Sequence, residues 1–137
     1  MDAVAEMREL LASLYGSFET GDGGRLADAL APDVLLIGTD EAEWWQGKER
    51  VLSVLRAQLD EMRAAGVRLD GGEAQIAATA DSVWVADRPT MSLSDGTTVP
   101  ARLTLVATVE DSALLIRQWH VSVGTPNEVL LNQKLTV

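Results

Sequence analysis

The chain has 137 residues, a formal charge of −10 and no cysteine. That length suits one domain spanning 1–137, able to bury roughly two thirds of the surface its unfolded form exposes, so folding requires neither a disulfide nor a metal. The composition excludes thiolate zinc, iron–sulfur clusters and cysteine nucleophiles, and the acidic balance without a Lys/Arg cluster argues against nucleic acid and anionic membranes as partners.

No apolar run approaches the roughly 20 residues of a bilayer span. The start, MDAVAEMREL, lacks the basic character of a signal peptide, so a cytoplasmic location is expected. Val4, Met7, Leu10, Leu11, Leu14, Tyr15 and Phe18 recur at spacings of three and four and predict a helix over 2–18. Asp22 is a suitable N-cap for a short second helix over 23–30, which Pro32-Asp33 ends. Val34 to Ile37 is a short β run stopping at Gly38, and an acidic, aromatic connection follows through Trp44-Trp45. Val51, Leu52, Leu55, Leu59 and Met62 then mark a long helix over 48–65, with Gly66 just beyond its end.

From Val67 the period changes to two. Four strands are expected, over 67–78, 83–93, 98–109 and 113–123, as an antiparallel meander. Gly71-Gly72 suggests a bulge or bend, Pro89 and Pro100 an edge or bulge, and Ser94-Asp95-Gly96-Thr97 a hairpin turn. Residues 128–137 form a tail that docks or frays. Two helices, a strand, a long helix and then a sheet make an α+β domain.

Gly21-Asp22, IGTDEAEWWQGKERV from Ile37, WVADRPT from Trp84, RLT from Arg102 and WHVSVGTPNE from Trp119 resemble the SnoaL-like branch of the nuclear transport factor 2-like superfamily, which also holds ketosteroid isomerases. The resemblance covers nearly the whole chain. It implies a cystatin-like α+β cone, in which a curved antiparallel sheet and the N-terminal helices enclose a pocket, and usually a homodimer. Its members include cyclases, isomerases, epoxide hydrolases, ligand binders and assembly domains, so fold alone does not transfer an activity. The isomerases place a tyrosine eight residues before the Asp of Gly-Asp. Leu14 stands there, and Tyr15 points about 100° away around the helix.

The candidate acid–base groups are His120, the one histidine, and the loop carboxylates Asp40, Glu41 and Glu43. A metal site is not expected, because one histidine without cysteine or an acid beside it supplies too few ligands, and no cofactor is implied. Arg102, Thr104, Gln118, His120 and Ser122 form one polar face if the turn at Glu110-Asp111-Ser112 has three residues, which would pair Arg102 with His120. The opposite face then carries Trp84, Arg88, Leu103, Leu105, Trp119 and Val121. Two arrangements stand open. In the preferred one, that second face and Trp45 line an apolar pocket, while the polar face meets a second copy. In the other, the polar face turns inward and His120 acts chemically. The corresponding functions are a binder of a small apolar ligand, a polyketide cyclase- or isomerase-like enzyme, and a dimerisation module without chemistry; plain core packing also accounts for the tryptophans.

Overall fold

The fold is described from a computed structural model of residues 1–137. Helix α1, Ala3–Thr20, is capped by the Asp2 carboxylate and stops at Gly21, which takes φ +74°. Its stripe of Met7, Leu10, Leu11, Leu14 and Phe18 is buried. Ser17 falls on the same stripe and donates its hydroxyl to the Leu14 carbonyl at 2.6 Å, which satisfies it without water. Helix α2, Gly24–Asp28, is one turn. The strand expected at 34–37 begins earlier, as β1, Leu30–Ile37, and runs through Pro32-Asp33 by an irregularity in its pairing. Strand β2, Trp44–Gln46, folds back on β1. Helix α3, Lys48–Ala64, buries Val51, Leu55 and Leu59.

The back half confirms the α+β class and corrects the plain meander. Three of the four expected strands are broken, into β3, Arg68–Asp70, and β4, Gln75–Ala78; β5, Ser82–Asp87, and β6, Thr90–Ser92; β7, Thr98–Pro100, and β8, Arg102–Glu110. Only β9, Ala113–Ser122, is continuous. The result is a six-stranded sheet in the order β2-β1-β9-β8-β5-β4 and a three-stranded sheet in the order β3-β6-β7. The larger sheet is mixed, because β1 joins parallel to β9. A short helix α4, Asn127–Leu131, follows, and residues 128–137 stay exposed.

The breaks line up at one corner, and the cause is local. Asp87 ends β5 on the inward side with Val83 and Val85 and is 5 % exposed. A carboxylate at such depth must be met by donors. It accepts the Tyr15 hydroxyl at 2.5 Å, the Arg88 N–H at 2.7 Å and the Gly72 N–H at 3.2 Å. Gly71 and Gly72 are needed there: a Cβ on Gly71 would lie 2.7 Å from the Tyr15 ring, and one on Gly72 2.7 Å from the Arg88 carbonyl oxygen. Pro89 lies in the gap between β5 and β6, where its missing N–H leaves no ladder bond unmade. Its carbonyl accepts the Ala101 N–H at 2.9 Å across the matching gap between β7 and β8.

The turn before β9 also differs from expectation. Asp111 and Ser112 both take positive φ, 50° and 58°, and form a two-residue connection closed by the pair Glu110–Ala113. Such a turn alone would set Leu103 against His120. The register shifts instead at Arg117, which stands as an extra residue between the pairs Ala107–Ile116 and Val106–Gln118. Beyond that bulge Thr104 faces His120 and Arg102 faces Ser122. The five polar residues do share a face, but through a tight turn plus a bulge and not a three-residue turn, and the expected Arg102–His120 pair is replaced by Thr104–His120. Arg117 is held by Asp33 at 2.6 Å, by Glu110 and by the Thr108 hydroxyl at 3.0 Å, and the guanidinium keeps the Asp33 carboxyl below its ordinary range.

The corner gives two predictions. Asp87→Ala strands three donors and is expected to lower unfolding stability by about 3 kcal/mol, against about 1 kcal/mol for Tyr15→Phe; urea denaturation measures both, and equal small losses would contradict the account. Tyr15 is the one tyrosine of the chain. Burial, then the hydrogen bond to Asp87 and its charge, raise its pKa. The raised value favours the neutral phenol in the fold, so this stability is complete below about pH 10 and declines as pH rises above it. Alkaline titration followed at 295 nm should show no phenolate at pH 10 in the folded protein, and a half-titrated tyrosine there would refute it.

Candidate functional site

A cavity of about 130 Å³ lies between α3, the end of α1 and the inner face of both sheets. The sheet supplies Leu36 from β1, Trp45 from β2, and Trp119 and Val121 from β9. Parity puts these on one side: Leu36 pairs laterally with both Trp45 and Trp119. Helix α3 supplies Leu55, Gln58, Leu59 and Met62, α1 supplies Phe18, and the smaller sheet closes the wall with Leu69 and Met91. The lining is apolar except at Thr39, Glu43 and Gln58.

Glu43 is the one charged residue of the lining. Its placement follows from the chain around Gly38. Gly38 is two residues beyond Leu36 and so faces inward, and its missing Cβ admits the Glu43 side chain; an added Cβ would lie 2.6 Å from Oε2. The Gly38 N–H donates to the Glu43 carbonyl at 2.9 Å and closes the loop. The carboxylate then accepts the Asp40 N–H on Oε1 at 2.9 Å and the Gln58 side-chain amide on Oε2 at 3.0 Å. Gln58 reaches it because it lies on the same stripe of α3 as Leu55, Leu59 and Met62. Among the buried side chains one polar atom has no partner, the indole Nε1 of Trp119.

Of the residues expected to line a pocket, Trp45, Trp119 and Val121 do so. Leu103 and Leu105 share the inner face but are consumed by core packing, at 1 % and 0 % exposure. Trp84 and Arg88 are on the outer face, contrary to expectation. Val85 pairs with the inward Leu105, and Trp84 pairs with the outward Val106, so their grouping with Trp119 is reversed. Asp40 is exposed and holds its own loop, accepting the Ala42 N–H at 2.8 Å. His120 lies on the outer face between Ile37 and Thr104, away from the cavity, and Arg102, Gln118 and Ser122 share that face. The sequence reading passed over Gln58, Phe18, Leu36, Leu69 and Met91. A signal existed for Gln58, a lone polar residue inside the apolar stripe of a strongly periodic helix. None existed for Leu69 and Met91, whose place depends on the corner at Asp87.

No helix is long and apolar enough to cross a membrane. Among curated proteins none matches the chain in sequence. Solved structures with the same fold include an NTF2-like protein of unknown function from Pseudomonas putida KT2440, at TM-score 0.82 and 15 % identity over 98 % of this chain and 93 % of that one. A protein with a cystatin-like fold from Caulobacter vibrioides matches at TM-score 0.78 and 15 % identity, over 95 % of each chain. An NTF2-like protein from Streptomyces avermitilis, described as a candidate dehydratase, matches at TM-score 0.72 and 14 % identity over 88 % of this chain and 95 % of that one. At such identities the likeness is one of fold. The profile of the SnoaL-like domain matches residues 7–126, and with that span the chain belongs to the SnoaL-like family.

Proposed function

We propose that this protein binds a small apolar ligand in the cavity between α3 and the inner sheet face, and does so as a homodimer in the cytoplasm. The observation that carries the reading is the lining itself. It is a mainly apolar concavity with a few placed polar groups, the usual composition of a small-molecule site. Titration with naphthalene, followed by tryptophan fluorescence, is expected to saturate. Trp84→Phe should leave the change intact, and Trp45→Phe should diminish it. Met62→Trp should fill the cavity and remove binding while the fold survives by circular dichroism; undiminished binding would refute the site.

Acid–base chemistry is the second reading, and one observation favours a particular residue for it. Glu43 is in the cavity, whereas Asp40 and His120 are not. A carboxylate fixed by Gln58 and a backbone N–H, with lone pairs to spare, is equipped to take a proton from a bound molecule. The likeness to a candidate dehydratase is compatible with this reading.

The second copy belongs on the outer face of the larger sheet. Trp84 is 43 % exposed and pairs with Val106, which is 37 % exposed. The pairs around them, Thr104–His120, Arg102–Ser122 and Val106–Gln118, hold no carboxylate, although the chain has 21 acidic residues. A patch of aromatic, small and cationic groups on this face, beside the Asp33 and Glu110 carboxylates that Arg117 already holds, fits a self-complementary interface about a two-fold axis. Sedimentation at micromolar concentration is expected to show a dimer, and Trp84→Glu a monomer; a wild-type monomer would remove this part of the proposal.

A further inference from the structure

Glu43 is half-buried, and the lining that it shares holds no Lys, Arg or His. Both of its hydrogen bonds come from neutral donors, the Asp40 N–H and the Gln58 side-chain amide. The ion pairs of the chain use Arg25, Arg68, Arg117 and Lys134, and none of them reaches Glu43. The carboxylate is therefore fixed in place without being neutralised. Its Oε2 sits between two lining residues, 3.0 Å from the Gln58 amide nitrogen and against Gly38, where an added Cβ would lie 2.6 Å away. Each oxygen accepts one hydrogen bond and retains capacity for another. Asp87 differs in that it is held by donors from three segments and lies outside this cavity.

Resting on the binding reading above, we infer that the cavity takes an apolar molecule carrying a protonated amine, with the ammonium against the Glu43 carboxylate and the apolar body against Leu55, Leu59 and Met62. A ligand that fills the cavity removes water from a charged group. That loss is offset by a partner of opposite charge with hydrogens to donate. An ammonium supplies both, through a hydrogen bond about twice as strong as a neutral one. A neutral alcohol supplies the hydrogen bond alone, and a hydrocarbon supplies neither. An anionic ligand would meet like charge in apolar surroundings. The formal charge of −10 also favours the approach of cations over anions.

Probes on a single aromatic ring test this near neutral pH: toluene, benzyl alcohol, benzylamine and benzoate. In the wild-type protein benzylamine is expected to bind about tenfold more tightly than toluene, with benzyl alcohol between them and benzoate excluded. Glu43→Gln keeps the side-chain length and should bring the benzylamine-to-toluene ratio to about one while toluene still binds. Glu41→Gln removes an exposed charge of the same loop and should leave the ratio unchanged, which separates the site from the charge of the chain as a whole. A readout on the wild-type protein needs no variant to fold: nuclear Overhauser contacts from the benzylamine methylene protons to the Gln58 side-chain amide place the ammonium beside Glu43. Equal affinity for toluene and benzylamine, a preference that survives Glu43→Gln or is lost in Glu41→Gln, or no contact with Gln58, overturns this inference and leaves the binding reading standing. Failure of all the probes to bind overturns both.

Discussion

A carboxylate enclosed without a cation partner has to be surrounded by donors, and at Asp87 those donors come from α1, from the Gly71-Gly72 segment and from the residue after β5. Satisfying it brings three parts of the chain to one point. Tyr15 ties the first helix to the sheet, and the glycines let the backbone pass beside the ring. The strands leave the larger sheet there and continue as β6 and β7 in the smaller one. Leu69 and Met91 reach the cavity only because of that departure. The corner thus links a local hydrogen-bonding demand to the existence of the site.

The bulge at Arg117 decides the other half of the arrangement. Side chains alternate across a strand, so a slip of one residue exchanges the two faces. The two-residue turn at Asp111-Ser112 would by itself have put Leu103 opposite His120. The extra residue restores Thr104 opposite His120 and keeps Leu103, Leu105 and Trp119 together inside. Arg117 then fastens β9 to β1 and β8 through Asp33, Glu110 and Thr108. Its side chain is partly exposed, so this network contributes less to net stability than to fixing which strand neighbours meet.

Cavity and outer face divide the chemistry of the chain between them. Inside are an apolar wall and one carboxylate. Outside, Trp44 and Trp84 are exposed at 61 % and 43 %, with neutral polar groups, Arg102, and the Arg117 guanidinium with its carboxylate partners Asp33 and Glu110. The titratable histidine belongs to the second set. Of the acid–base candidates, Glu43 lines the cavity and His120 does not.

Periodicity by itself determined the two long helices, their buried stripes, the hairpin at Asp95-Gly96 and the α+β class, because each is a repeat within a short window of residues. Within each strand it also separated Arg102 and Thr104 from Leu103 and Leu105, and Gln118, His120 and Ser122 from Trp119 and Val121; the bulge at Arg117 decided which of these sets share a face. Tertiary structure decided what adjacency in sequence does not carry: that β1 lies parallel to β9, that Trp84 turns outward because its partner strand places Val106 opposite it, and that Glu43 reaches Gln58 through the space left at Gly38. Those outcomes depend on pairings and close approaches between distant segments, where one residue of register or one missing Cβ changes which side chains meet.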